Sequence, residues 1–282
     1  MIVLIVLAVL IGGYRIYERG RPAPIPLKEQ IFNGVTYRRI VRVVPHSMIV
    51  HVLIVDRRAT KESFFVTPAD HKTGAPLNAR TTTQFMREFG VQIAVNGDGF
   101  FPWWSHTPAD YYPHVGDPVT PNGFAAPDGD IYSHGVDNPN LEPTMYISRR
   151  GEITFDKAPG RIYNALSGDR MLVLQGKPIE GLDASKLNPR TAIGVNKNGR
   201  YVYLVVVDGR QPFYSEGATF KELAQLMADL GAYYAMNLDG GGSSTLVIQG
   251  KDGAPQILNS PVDSYLPGRQ RPVANHFGIY LK

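Results

Sequence analysis

The chain contains no cysteine, which removes disulfides and thiolate metal sites from consideration and leaves the cellular compartment open. Tryptophan occurs only twice, and the two copies are neighbours, Trp103 and Trp104. Charge of one sign never gathers. The 29 Lys and Arg against 25 Asp and Glu leave a formal +4 without a basic cluster, so nucleic acid is excluded as the expected partner. No long apolar run follows the first thirteen residues, and no short period repeats along the chain. Glycine and proline, in contrast, are plentiful at 29 and 22 of 282 residues, which points to many turns and short strands. A hydrophobic content of 43% is enough for a sizeable core.

The opening "MIVLIVLAVLIGG" has the length of a signal-peptide core and becomes a membrane span only if the residues to Tyr17 join it. Residues 1–17 therefore read as a signal or anchor segment, and residues 18–30, with Pro22, Pro24 and Pro26, as a stiff linker. Residues 31–282 remain for one catalytic domain. This places the domain outside the cytoplasm, held at a membrane or secreted. Arg15, Arg19 and Arg21 just after the run favour the opposite orientation.

From Ile31 the pattern is strand-like, in "VTYRRIVRVV", "MIVHVLIVDRR" and "SFFVTP". "TQFMREFG" reads as a short helix closed by Gly90. "TFKELAQLMADLG" reads as a longer one, opened by a Thr219–Glu222 capping box and ended by Gly231. Hairpins are expected around Arg150–Gly151 and Asn198–Gly199. Some forty residues from Pro102 to Pro143 carry Pro, Gly, Asp and aromatics without periodicity, and read as a loop that covers a site. The expected fold is α+β, with mixed, largely antiparallel sheets and few helices.

The chain also resembles itself. "QFMREFGVQIAVNGDG" (84–99) aligns without gaps on "QLMADLGAYYAMNLDG" (225–240), and "VLIVDRR" (52–58) on "LVVVDGR" (204–210). An internal duplication of a hairpin–helix–strand unit would explain both, and would bring the two Asn-x-Asp-Gly strand ends together.

Four polar clusters fall at expected strand ends: "NGDGFF", "PRTAIG", "VDGRQPFYSEGAT" and "NLDGGGSST". They supply Asn96, Asp98, Arg190, Asp208, Arg210, Glu216, Asn237 and Asp239. Singly each has a plain structural explanation, because Asp-Gly is a turn pair and a carboxylate before a helix suits its dipole. Together, at strand ends where sites are assembled, they point to function. "GGGSS" is not a nucleotide phosphate loop, since no Lys follows its glycines and a strand rather than a helix comes next.

"NLDGGGSSTL", with "PRTAIG", "VDGRQPFYSEGAT" before a capped helix and the closing "RPVANHFGIYL", resembles the phosphodiester glycosidase family. That family includes the lysosomal uncovering enzyme and bacterial proteins linked to exopolysaccharide. The resemblance runs from Val52 to Tyr280 in order. "AVNGDGFF" resembles the family's Asn-Gly stretch, which often has Gly where this chain has Asp98. The resemblance implies a hydrolase that releases a sugar from a phosphodiester at the anomeric carbon.

A phosphate monoester is a weak base, so its departure asks for less protonation than that of an ordinary glycoside. Arg190 and Arg210 suit the phosphate, because a guanidinium meets its oxygens with paired donors. Gly240, Gly241 and Gly242 are expected to turn N–H groups inward as an anion nest, helped by the Ser243 and Ser244 hydroxyls. Asp239, then Glu216 and Asp208, are the candidates for nucleophile or base. Asn96, Asp98 and Asn237 complete the substrate contacts, and Trp103 and Trp104 offer a platform for a sugar ring. The clustered oxygen ligands leave calcium or magnesium open as a cofactor, with no EF-hand spacing to name its ligands. Two other readings stand beside this one: a non-catalytic glycan-binding or exopolysaccharide-assembly protein, and a metal-dependent phosphodiesterase that cuts P–O.

Overall fold

The computed structural model describes residues 11–13, 16, 20–22, 24–135, 142–155, 157–158 and 160–281. Most of the apolar opening expected as a signal or anchor lies outside these residues. Among the described residues no helix is long and apolar enough to cross a membrane.

The architecture follows from strands that are apolar on both faces. In Tyr201–Val207, Val202, Leu204 and Val206 enter one core, while Tyr203, Val205 and Val207 enter a second. This strand lies inside an eight-stranded sheet ordered 27–32, 35–42, 48–56, 201–207, 190–195, 234–237, 170–174, 177–178. The first core is shared with a five-stranded sheet (255–257, 246–249, 93–96, 276–281, 62–66) through Ile93, Val95, Phe277 and Ile279. The second core is closed by the helix Phe220–Asp229, which contributes Leu223, Ala224 and Met227. The outer face of the five-stranded sheet is covered by the helix Thr82–Phe89 through Phe85 and Met86. The result is four layers, helix on sheet on sheet on helix. A third sheet of five short strands adds Met145 and Leu166 to the first core.

Pairings in these three sheets are all antiparallel, consistent with the expected α+β fold of largely antiparallel sheets and few helices. The expected turns at Gly151 and Gly199 are present, with φ of 80° and 67°. Both helices open with a capping box, at Thr81–Gln84 and Thr219–Glu222, and the first ends at Gly90 in the left-handed region. The loop expected from Pro102 to Pro143 is largely built into sheets. Pro118–Pro121 pairs with Phe100–Phe101, and Phe124–Ala126 pairs with Asn164–Ser167. Among the described residues of this stretch, which omit 136–141, the small hairpin joining Trp104–Ser105 to Tyr111–Tyr112 stands apart from those sheets.

A duplicated unit finds no support in the strand pairing. Tyr234–Asn237 pairs with Arg190–Val195, whereas Ile93–Asn96 sits in the other sheet between 246–249 and 276–281. The two strand ends nevertheless meet across the sheets. The Asp239 N–H donates to the Gly97 carbonyl at 2.9 Å, and Asn96 Nδ2 donates to the Asp239 carbonyl at 2.8 Å.

Candidate active site

Where the two strand ends meet, a cavity of about 700 Å³ opens. That is within the size range of small-molecule sites, roughly 300–1,000 Å³. Its lining includes Asp98, Trp103, Arg190, Arg210, Asn237, Asp239, Gly240 and Gly241 from the expected set. The sequence reading had passed over Glu142, Asp169, Arg170, Asn188, Phe220, Tyr265 and Arg271, which line it too.

Asp98 is 2% exposed, and its two oxygens accept the N–H groups of Gly99 (2.7 Å) and Gly123 (2.6 Å). Burial raises its pKa well above the usual carboxylate range, and the nearby charges of Glu142 and Asp239 push the same way. Burial also raises Asp239, against the pull of the Ser243 hydroxyl, the Arg271 guanidinium and the Gly240 N–H. Glu142 is raised by burial and then by Asp169. One cavity thus holds three carboxyls whose pKa values are all raised.

Arginines supply the opposite charge. Arg190 is 7% exposed, donates to the Ala218 and Lys186 carbonyls at 3.1 and 3.2 Å, and lies 3.6 Å from the centroid of the Phe220 ring. Arg170 also stacks on Phe220, at 3.9 Å. Burial lowers Arg190 to about 10, and Arg210 is lowered by burial and then by Arg271. Arg170 is paired with Asp169 (2.7 Å) and Arg271 with Asp263 (2.7 Å). Among the described residues neither Arg190 nor Arg210 has a carboxylate within 4.0 Å; Arg210 Nε donates to Asn188 Oδ1 at 3.2 Å. Two guanidiniums in this cavity are therefore placed to take an anion.

The glycines do not form the expected anion nest. The N–H of Gly240 is taken by the Asp239 carboxylate (2.8 Å), and that of Gly241 by the Pro189 carbonyl (2.9 Å). The N–H groups of Ser243 and Ser244 close the 3-10 turn Gly241–Ser243 on the Gly240 and Gly241 carbonyls. The glycines provide room instead. A Cβ at Gly241, where φ is +61°, would stand 2.8 Å from the Arg210 guanidinium, and one at Gly242 would stand 2.5 Å from that of Arg271. Ser243 and Ser244 are buried behind this turn and do not line the cavity, nor does Gly242.

Two of the three expected catalytic carboxylates lie elsewhere. Asp208 is buried in a relay, accepting from the Ser260 N–H at 2.7 Å and facing His51 Nε2 at 3.0 Å, while His51 Nδ1 meets the Tyr37 hydroxyl at 2.8 Å. The relay holds the start of the Arg210 loop and leaves Asp208 no contact with the cavity. Glu216 is exposed and accepts from the Ser47 N–H at 3.3 Å, away from the lining. Asn96 is fully buried and works as a cross-tie between the sheets: its Oδ1 accepts from the Thr191 hydroxyl (2.9 Å) and the Thr245 N–H (3.2 Å). Trp104 stacks on Tyr112 at 4.7 Å and donates to Asp110, so only Trp103 of the pair reaches the cavity. Among the described residues no three His, Cys, Asp or Glu side chains converge to hold a metal ion.

The overlooked residues share one signal, polar side chains flanking a strand: Asp169–Arg170 in "SGDRML" opens one, and Asn188 precedes "PRTAIG". Arg271 stands in the closing block "RPVANHFGIYL", and only its position against Gly242 shows its use.

Comparison with known proteins agrees with this architecture. The chain superposes with a TM-score of 0.61 on the zebrafish N-acetylglucosamine-1-phosphodiester α-N-acetylglucosaminidase catalytic domain, a structure auto-inhibited by its pro-peptide. The identity is 20%, and the match covers 94% of this chain and 86% of that one. A hypothetical protein from Synechocystis matches with a TM-score of 0.61 at 15% identity over 92% of this chain, which spans 64% of that protein. A protein described as exported, from Burkholderia pseudomallei K96243, matches with a TM-score of 0.59 at 15% identity, covering 83% of this chain and 74% of that one. A search of curated proteins by sequence finds no match. At these identities the superpositions speak for the fold. A family model for phosphodiester glycosidases matches residues 89–280, which contain every cavity-lining residue named above. The chain belongs to the phosphodiester glycosidase family.

Proposed function

We propose that the protein hydrolyses a sugar-1-phosphodiester at the anomeric C–O bond, acting outside the cytoplasm on a cell-surface polysaccharide or related glycan. The observation that carries this reading is Arg190 and Arg210, unpaired with any described carboxylate, lining one cavity with Asp98 and Asp239. Arg190 and Arg210 bind the phosphate, assisted by Arg170 and Arg271. Asp239 attacks the anomeric carbon or activates the water that does. As the C–O bond breaks, its electron pair leaves on the phosphate, where the guanidiniums stabilise it. Burial raises the pKa of Asp98, which favours its neutral form beside the phosphate and reduces charge repulsion there. Extracytoplasmic action rests on the apolar opening of the sequence alone.

Cleavage of P–O is the second reading. It draws on the four carboxyls that line the cavity, Asp98, Glu142, Asp169 and Asp239, oxygen donors of the type calcium and magnesium take, although no three of them converge on one point. Both Asp98 oxygens are already engaged by backbone N–H groups, which makes that set a poor ligand cage.

The test is turnover of a panel of sugar-1-phosphodiesters by the full chain in isotopically labelled water, with and without chelator, beside Asp239→Asn. The expected result is label in the released sugar, resistance to chelator and loss of at least a hundredfold in kcat for Asp239→Asn. Retained or inverted anomeric configuration then tells attack by Asp239 from activation of water. Label in the phosphate would establish the second reading, and no product from folded protein would support a binding protein.

A further inference from the structure

The Arg210 side chain is presented by a strained loop. Arg210 has φ +59° and Phe213 in the same loop has +78°, left-handed conformations in which a side chain is crowded. Such conformations persist where the surroundings impose them, and they gather at binding sites. The loop is closed by its own backbone, the Gln211 N–H donating to the Ser215 carbonyl at 3.0 Å and the Arg210 N–H to the Glu216 carbonyl at 3.2 Å. Gln211, next to Arg210 in the chain, is fully buried. Its Nε2 donates to the Ser260 carbonyl at 2.9 Å, and its Oε1 accepts from the Ser260 hydroxyl at 2.9 Å. The Ser260 N–H in turn donates to Asp208 at 2.7 Å.

A residue remote in the chain completes this network. Arg21 lies in the stretch 18–30 that the sequence presents as a linker. Its Nη1 donates to Gln211 Oε1 at 2.6 Å and its Nη2 to Ser260 Oγ at 2.9 Å, partners 190 and 239 residues away. The same guanidinium lies 3.6 Å from the centroid of the Tyr214 ring. A spacer between the apolar opening and the domain would need none of these contacts. A planar fork suits the task, because it can meet two acceptors while its face stacks on an aromatic ring. One guanidinium thus ties the loop carrying Arg210 to the segment 260–263, whose Asp263 holds Arg271 at 2.7 Å.

Building on the phosphodiester reading, we infer that Arg21 is a positioning residue for phosphate binding, acting on Arg210 through the Gln211–Ser260 pair. Arg21 is not among the residues that line the cavity, so it works through others and touches no substrate. What it sets is the direction of the Arg210 donors. A misplacement of about 1 Å caused by a remote change can cost as much as a lost contact. The stretch before the first strand therefore belongs to the phosphate-binding unit, although its sequence reads as a spacer.

The test measures the Kd of inorganic phosphate by calorimetry in the full chain, as wild type, Arg21→Ala, Arg210→Gln and the double variant. Arg21→Ala should raise Kd about tenfold. In the Arg210→Gln background the same change should cost less than about twofold, because the group that it positions is gone. Additive losses would overturn the inference, since a residue acting through the general field or through stability weakens both backgrounds alike. Arg39→Ala is the control: Arg39 Nε donates to the Ile25 carbonyl at 2.8 Å, so this variant loosens the same stretch away from the Arg210 loop. Its Kd should equal that of the wild type, and a rise matching Arg21→Ala would overturn the inference. Arg21→Lys, which keeps the charge without the planar fork, should fall between wild type and Arg21→Ala. Binding lost in Arg210→Gln but kept in Arg21→Ala would sink the positioning role and leave the phosphodiester reading standing. Binding unchanged in Arg210→Gln would take Arg210 out of the phosphate site and overturn both. The expected Kd pattern in a protein that cleaves no phosphodiester would support the positioning role and count against the catalytic reading alone.

Discussion

At the scale of single residues, two of the three glycines after Asp239, Gly241 and Gly242, make room for arginines. Gly241 illustrates the distinction, because alanine there brings two separable costs. The left-handed backbone, at φ +61°, costs about 1–2 kcal/mol for any side chain. The new Cβ also stands 2.8 Å from the Arg210 guanidinium and must displace it. Gly253 has φ +81° with nothing within 4 Å of a built Cβ, so Gly253→Ala brings the first cost alone. Thermal unfolding should show comparable losses for the two variants. In a kcat/KM assay Gly241→Ala should lose tenfold or more while Gly253→Ala keeps its activity. Equal activities would mean that Arg210 has no part in binding.

At the scale of elements, the helix Phe220–Asp229 links folding to the site through its first turn. Thr219 caps it, accepting the Glu222 N–H at 3.2 Å, and Glu222 reaches back to the Thr219 N–H at 2.9 Å. Phe220 follows at once, with Arg190 on its ring at 3.6 Å and Arg170 at 3.9 Å. A cap that only held the helix would affect stability alone. Thr219→Ala should lower stability by about 1 kcal/mol, read by denaturant unfolding. Because the fraying turn carries Phe220, KM should also rise several-fold. Thr81→Ala, on a helix packed against the other sheet, provides the comparison: a similar loss of stability with KM unchanged.

At the scale of the whole molecule, the acidic cluster exists because distant segments converge. Asp98 follows the strand Ile93–Asn96 of one sheet, Asp239 follows Tyr234–Asn237 of another, and Glu142 precedes the strand Thr144–Ile147 of a third. In the proposed mechanism Asp98 works protonated and Asp239 ionised, so activity should fall as pH rises through the raised pKa of Asp98. On the same mechanism activity should fall as pH drops through the raised pKa of Asp239. Glu142 is the largest cause of the Asp98 shift after burial. In Glu142→Gln the alkaline limb of kcat/KM against pH should therefore move to lower pH. An unmoved limb would remove Asp98 from the proton inventory of the reaction.

Much of this was legible before any coordinates. The apolar run "YVYLVVV", the Thr219–Glu222 cap and the Asn198–Gly199 turn are local signals, set by propensity over a few residues, and the structure contains each of them. The block "NLDGGGSST" with "PRTAIG" and "VDGR" was enough to find the family and to name several residues that line the cavity. What could not be read was direction. Asp208 and Asp239 look alike in sequence, both Asp-Gly at a strand end, yet one turns to His51 and the other to the cavity. Glu142, Asp169 and Arg271 carry no motif of their own, and their importance arises from charges brought together across three sheets. Electrostatic shifts depend on burial and on neighbours remote in the chain, and those are properties of packing. The amino-acid order by itself determined the elements and the chemistry available at their ends. Which ends share one cavity, and so which carboxyls meet which arginines, was decided only when the two sheets packed face to face.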